Sequence, residues 1–315
     1  MDGIATSTHE TPVIIGIVGD SAAGKTTLAA GLARALGTDR TVNICIDDYH
    51  RYSRADRARI GISPHNPDGN YMDILEQHVA LLRDGQPILK PIYNHNGGVL
   101  EAPEYVEPKP YIILEGLLGY ATPRLREAYD VKLYMEPQEE VRLKWKFQRD
   151  TGPGGYPVDQ VMASLERLKR DSAQFVIPQR TYADMVVRFY APDERPEESG
   201  VHLNVAHILR PTLPYLDLAP VLEAGADKGV VLELARDVDG RPVDVFDVSG
   251  GVDDDKAASL EGYLWGLVPD APADRPTIGQ FRDGKDEPHV GHALAVTQLM
   301  IAHYVVNAAV GHHVS

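Results

Sequence analysis

Residues 13–18, Val-Ile-Ile-Gly-Ile-Val, form an unbroken apolar run, the pattern of a strand buried on both faces. The period then changes: Leu28, Leu32 and Leu36 recur every fourth residue until Gly37, which predicts a helix with a glycine stop. Both patterns return further along. Residues 41–46, 111–114, 130–135 and 185–189 read as further buried strands. Residues 70–82, with Leu75, Val79 and Leu82 inward, read as a helix closed by Gly85, and 139–149 and 158–170 read as two more. Strands alternating with helices predict an α/β fold with a mostly parallel sheet flanked by helices. From residue 191 the pattern loosens. Residues 192–200 are rich in Pro, Glu and Gly and read as a linker or exposed loop. Residues 230–234 and 243–248 read as strands joined by an Asp-Val-Asp-Gly-Arg hairpin turn at 237–241, and 289–310 as a closing helix. The expected organisation is a tail at 1–12, a main unit at 13–190 and a smaller, mixed, strand-containing appendage at 191–315.

Charge sharpens that division. The chain of 315 residues has a net charge of −15 and a hydrophobic content of 43%, which suits a sizeable core. Residues 191–315 hold 9 Lys and Arg against 21 Asp and Glu, a net of −12, leaving −3 for residues 1–190. An acidic half argues against nucleic acid and anionic lipid as partners, and the near-neutral half is where an anionic substrate would approach. Cys45 is the only cysteine, so no internal disulfide is expected. Residues 1–12 lack a signal-peptide core, and no uninterrupted apolar run approaches 18 residues, so no membrane partner and a cytoplasmic location are expected.

The chemistry begins where the first strand meets the first helix. Gly19-Asp20-Ser21-Ala22-Ala23-Gly24-Lys25-Thr26 matches the phosphate-loop pattern G-x-x-x-x-G-K-[ST] at every fixed position, with Thr27 behind it. A strand, a glycine loop and a helix N-terminus aim backbone N–H groups at phosphate oxygens. Lys25 adds charge for the β- and γ-phosphates and Thr26 a ligand for Mg²⁺, so ATP and Mg²⁺ are the expected cofactors.

Other strand ends add candidates, since ligands in open α/β sheets sit beyond the carboxyl ends of strands. Asp47 and Asp48 follow the second strand, and either could take a proton from a substrate hydroxyl or simply cap a turn. Arg51, Arg54, Arg57 and Arg59 fall within nine residues, a density that suits an anionic substrate; Arg57 and Arg59 fit a solvated helix face instead. Tyr93 and His95, in an extended and then turning segment, could meet substrate hydroxyls or simply belong to a plain hairpin turn. Glu115 ends the third strand, where it would meet Mg²⁺ or its waters. Arg142, Lys144, Lys146 and Arg149 make a basic helix running into Asp150 and a glycine-rich stretch, a pattern for either a closing lid or a solvated face. Asp253, Asp254 and Asp255 read as a solvated turn. His289 and His292 are expected on one face of the closing helix with no Cys or carboxylate cluster beside them, which argues against zinc.

These stretches resemble the phosphoribulokinase family of the plant and cyanobacterial type. The resemblance is carried by the phosphate loop, Cys-Ile-Asp-Asp-Tyr-His at 45–50, Lys-Pro-Ile-Tyr-Asn-His at 90–95, Ile-Leu-Glu-Gly-Leu at 113–117, Lys-x-Gln-Arg-Asp at 146–150, and Pro-Gln with Ala-Asp at 178–184. It is dense over residues 13–190 and looser beyond, where Gly-His at 291–292 and Val-Thr-Gln at 296–298 are similar to the family's C-terminal end. The resemblance implies a P-loop kinase that phosphorylates the C1 hydroxyl of ribulose 5-phosphate, as a homodimer. It implies Asp47 as general base, Lys25 and Thr26 on phosphate and Mg²⁺, Glu115 as the second acidic group at the metal, and Lys146, Arg149 and Asp150 in the lid. His50, Arg54 and Arg167 stand where the family holds the sugar phosphate. The chain departs from the pattern in three places. Gly154 stands where the family has a lid arginine associated with the sugar phosphate. Ala23 stands where plant-type members have a regulatory cysteine paired with one at the position of Cys45, which excludes an intramolecular thiol switch here. Residues 63–68, Ser-Pro-His-Asn-Pro-Asp, differ from the family's pattern ahead of the next helix. The rival readings are a related kinase acting on another sugar phosphate or a nucleoside, in the manner of uridine kinase, and a nucleotide-binding regulatory protein without turnover.

Overall fold

The computed structural model describes residues 11–152, 157–223, 229–269 and 275–314. In the first half, β1 (Val13–Gly19) leads through the phosphate loop into α1 (Lys25–Leu36), followed by β2 (Thr41–Cys45), α2 (Arg54–Ile60) and α3 (Met72–Arg83). A hairpin of β3 (Ile88–Asn94) and β4 (Val99–Val106) stands apart from the main sheet. After it come β5 (Tyr111–Gly116), α4 (Pro123–Ala128), β6 (Val131–Met135), α5 (Glu139–Thr151), α6 (Val158–Asp171) and β7 (Met185–Tyr190). The rest comprises β8 (Asn204–Leu209), α7 (Ala219–Glu223), β9 (Val230–Arg236), β10 (Pro242–Val248), α8 (Asp254–Gly266), a short hairpin of β11 (Gln280–Arg282) and β12 (Pro288–Val290), and α9 (His292–Val314).

The main sheet has eight strands in the order β2-β5-β1-β6-β7-β8-β10-β9. The first five are parallel, and β8, β10 and β9 add antiparallel strands at one side. Residues 191–315 therefore extend the sheet of the first unit with three strands and add a separate two-stranded sheet, β11–β12. Successive residues of a strand point to opposite faces, and β1 feeds two cores accordingly. Val13, Ile15 and Ile17 pack with α1 and α9, while Ile14 and Val18 pack with Leu75, Val79 and Leu82 of α3. This sandwiching between helices explains the unbroken apolar run.

Three expectations change. The stretch His292–Gly311 of α9 is long and apolar enough to cross a membrane by length and composition, a property that a search for uninterrupted apolar runs misses. With 72% of it buried inside the molecule, it serves as a core helix against α1, β1 and β8. Its buried polar groups are largely paired there: Thr297 Oγ1 meets His207 Nε2 at 2.8 Å and Gln298 Oε1 accepts from Gly279 N, while Gln298 Nε2 has no partner among the described residues. His289 lies in β12, not on the helix, and Asp283 and Glu287 do join it, with ligand atoms within 4.8 Å of one another. The Asp283 carboxylate already accepts from the N–H groups of Lys285 and Glu287 and closes the hairpin turn. Asp253 is an N-cap, accepting from Lys256 N at the start of α8.

Candidate active site

The phosphate loop crosses the carboxyl end of β1 with Gly24 at φ +88° and Ala22 at φ +63°. Lys25 Nζ donates to the carbonyls of Gly19 and Asp20 at 3.0 and 2.9 Å, so the ammonium is tucked inside its own loop. Thr26, at the first turn of α1, donates through Oγ1 to Glu115 Oε1 at 3.0 Å. The pairing follows from the sheet, because Glu115 lies beside Ile17 of β1 and Cys45 of β2 in register. Burial raises the Glu115 carboxyl above its usual range, and the nearby Lys25 charge only partly offsets this. Burial, with Asp47 and Glu115 close by, pushes the Cys45 thiol well up, so it stays protonated.

Asp47 and Asp48 occupy a single turn of 3₁₀ helix after β2, and their surroundings differ. Asp48 is committed to structure: Lys90 Nζ donates to Oδ2 at 2.5 Å and Tyr93 N to Oδ1 at 3.2 Å. Asp47 faces the main cavity and accepts from Leu117 N at 3.1 Å. Its approach depends on Gly116, where a Cβ would lie 2.6 Å from Ile46 Cβ and 3.1 Å from Asp47 Oδ1.

The basic face of α5 turns toward the phosphate loop. Lys146 is only 5% exposed, with Nζ 2.7 Å from Asp150 Oδ2 and 3.4 Å from Ser21 Oγ. Burial lowers its pKa, with Asp150 working against the shift. Arg149 donates to Asp150 Oδ1 at 2.8 Å and to Ser21 Oγ at 3.2 Å, and Arg142 to the Ser21 carbonyl at 3.0 Å. Lys144 faces away and pairs with Glu197 at the surface. Gly154 and the side chain of Arg167 lie outside the described residues.

On the far side of Asp47, His50, Tyr93 and His95 form an edge-to-face ring cluster, with centroids 4.8 Å apart for His50–Tyr93 and 5.0 Å for Tyr93–His95. His50 Nδ1 meets Asn70 Oδ1 at 2.7 Å, and burial pushes its pKa down to about 4, so the ring is neutral near pH 7. Arg54 donates to the His95 carbonyl. Arg57, expected on a solvated face, is buried: it donates to Tyr93 Oη at 2.8 Å and lies over that ring. Arg59 does stay at the surface, paired with Asp56.

A cavity of about 610 Å³ runs from the phosphate loop past Asp47, Glu115 and Arg149 to Phe281 and Gly284 of the β11–β12 hairpin. Ser199, Gly200 and Val201 close one wall, held by the Trp145 Nε1 bond to the Ser199 carbonyl at 2.6 Å. This end was missed from the sequence. The Gly-His pair at 291–292 was the available signal, since Gly291 also lines the cavity.

The sequence profile of the Phosphoribulokinase / Uridine kinase family matches residues 14–193. A phosphoribulokinase from Synechocystis sp. is 33% identical over 214 residues, covering 68% of this chain and 64% of that one. The chloroplastic phosphoribulokinase of Arabidopsis thaliana is 30% identical over 241 residues, covering 71% and 61%. A uridine kinase of Latilactobacillus sakei is 32% identical over 187 residues, covering 58% and 88%. The chain thus spans somewhat under two thirds of the length of the phosphoribulokinases it matches. Among solved structures, phosphoribulokinase from Rhodobacter spheroides superposes with a TM-score of 0.59 at 17% identity, covering 82% of this chain and 96% of that one, a likeness of fold.

Proposed function

The chain belongs to the phosphoribulokinase/uridine kinase family, and from that premise we propose that it transfers the γ-phosphoryl group of ATP to the C1 hydroxyl of ribulose 5-phosphate, giving ribulose 1,5-bisphosphate and ADP. The observation that carries the reading is a shared cavity. Phosphate loop, Asp47, Glu115 and Arg149 line one space, and Asp47, which faces it, forms no ion pair among the described residues. In this reading Asp47 takes the proton of the C1 hydroxyl as that oxygen bonds to the γ-phosphorus. The bond from phosphorus to the β,γ-bridging oxygen breaks, and ADP leaves with the bridging oxygen. Lys25, Lys146 and Arg149 hold the phosphate charge, and Asp150 orients the last two. Thr26 and Glu115 fit Mg²⁺, being two oxygen donors 3.0 Å apart at the cavity wall, one of them a buried carboxyl. Bound there, the ion would neutralise charge on the β- and γ-phosphates. Arg54, His50, Tyr93, His95 and Arg167 form the acceptor side. His50 acts as a neutral hydrogen-bonding group, so the cationic grip on the sugar phosphate falls to the arginines.

A coupled ADP-release assay over pentose phosphates, free pentoses and nucleosides tests the proposal. The highest kcat/KM is expected with ribulose 5-phosphate. A higher value with uridine or an unphosphorylated sugar overturns the acceptor, and nucleotide binding without ADP release overturns the kinase reading. We also propose a cytoplasmic homodimer. The support for pairing is the outer strand β9, whose Leu234 is 89% exposed beside exposed Val231 and Leu232, an unpaired edge that natural sheets cover. Light scattering that gives a monomer mass at micromolar concentration rules the dimer out.

A further inference from the structure

An aspartate inside a phosphate-binding loop is an electrostatic liability, yet position 20, one the loop pattern leaves open, is Asp. Its carboxylate does not line the cavity. It is turned inward and surrounded by donors. Oδ1 accepts from Ser21 N at 2.6 Å and from His65 Nε2 at 3.1 Å; Oδ2 accepts from Ser172 Oγ at 2.6 Å and lies 3.7 Å from the Arg142 guanidinium. Three of these partners come from separate segments: the 63–66 loop, the turn after α6, and α5. Burial opposes the charge, but the bonds from His65 and Ser172 and the charge of Arg142 hold Asp20 well below the usual carboxylate range. An ionised carboxylate only accepts, so His65 must carry its hydrogen on Nε2. The His65 ring is 1% exposed and its Nδ1 has no hydrogen-bond partner, so Asp20 is the ring's side-chain polar tether. A buried polar ring kept at that cost calls for a role.

We propose that His65 and Asp20 are a positioning pair that fixes the entry of the phosphate loop and joins it to the acceptor side. Two further observations support this. Ala22, two residues on, sits at φ +63°, a conformation that persists in a non-glycine residue only where the surroundings over-determine it. Asp20 is pinned at the start of that strained stretch. The loop carrying His65 also reaches the other substrate region: Asn70 Nδ2 donates to the carbonyls of Pro64 and Asn66 at 3.2 and 2.8 Å, and Asn70 Oδ1 meets His50 Nδ1. Ser63 Oγ donates to Asp171 Oδ2 at 2.5 Å and ties the same loop to the end of α6. One hydrogen-bonded segment thus spans from His50 to the phosphate loop. It is the segment, residues 63–68, where this sequence departs from the pattern of the family it resembles.

The proposal rests on the kinase reading for its purpose, but its test does not. Hydrogen exchange of the 19–27 amides is measured on the full chain without nucleotide, for wild type, His65→Ala, His65→Gln and a control, His78→Ala, which removes a His–Tyr49 bond elsewhere in the fold. His65→Ala should speed exchange in the phosphate loop and raise the KM for ATP about tenfold, the loss expected for one hydrogen bond to a charged group. His65→Gln, whose amide can donate to Asp20, should recover most of both. His78→Ala should change neither, even at a similar loss of Tm. Loop exchange unchanged in His65→Ala, or raised equally in His78→Ala, overturns the proposal. ADP release by the wild type reports on the kinase reading separately.

Discussion

Asp47 and Asp48 are adjacent acids at the end of one strand, and substitution should separate them. Asp47→Asn is expected to leave nucleotide affinity nearly unchanged while kcat falls on the order of a hundredfold, as for loss of a general base. Asp48→Asn should instead weaken a buried contact with Lys90 and cost about 1–3 kcal/mol of stability. Nucleotide titration, steady-state kinetics and urea denaturation of both variants check this; wild-type turnover in Asp47→Asn would remove it as the base. The sequence offered both acids as candidates because both follow a strand. The family resemblance favours Asp47, but the residues alone do not show why, since what occupies Asp48 is Lys90 and Tyr93, far along the chain on the β3–β4 hairpin. Arg57 was misread for a similar reason. Its spacing fits a solvated helix face, whereas the Tyr93 hydroxyl and ring and the Tyr52 carbonyl hold it in the interior. The phosphate loop was legible because its chemistry is local, held in eight consecutive residues.

At the scale of elements, α1 and α9 meet at Gly31. A Cβ there would lie 1.9 Å from Gln298 Nε2 and 2.1 Å from Gln298 Cδ. Alanine is the better helix former by about 1 kcal/mol, yet Gly31→Ala should destabilise the protein by about 1–3 kcal/mol, because the helices must separate or Gln298 must move. Moving Gln298 also releases Gly279 N, next to β11, so the cavity wall formed by that hairpin should loosen too. Denaturant midpoints check the first effect, and a stabilised variant would refute it. The buried parallel strands and the helices α3, α5 and α6 were readable from periodicity. Strand β8 was not, because Asn204 and His207 interrupt its apolar pattern. His207 is tolerated in the core because the neutral ring donates from Nδ1 to Phe246 O and can accept at Nε2 from Thr297 Oγ1. Strand β4 was hidden because it is solvated along nearly all its length and so lacks an apolar signal.

For the molecule as a whole, two buried histidines set an acid limit. Burial pushes both His207 and His50 down to about 4, against 6.5 for a free histidine. Between those values the unfolded chain binds protons that the folded chain refuses, so stability is full above pH 6.5 and falls as pH drops toward 4, by up to about 3 kcal/mol for each ring. Glu115 and Asp247, raised by burial, act in the opposite sense at the lower end. Urea midpoints at pH 7, 6 and 5 should therefore fall, and less steeply in His207→Gln; identical slopes in both would exclude this account. The position of α9 has a consequence for how the protein is made. Its partners α1 and β1 leave the ribosome among the first described elements, and α9 is the last. At about 5–20 residues per second, the growing chain waits roughly 10–50 s with that apolar surface bare. Chaperone occupancy during synthesis should be long and end only when α9 emerges. A chain stopped after Gly291, although it holds the phosphate loop, Asp47 and Glu115, should accumulate as insoluble or chaperone-bound material, and a soluble, folded product would refute that.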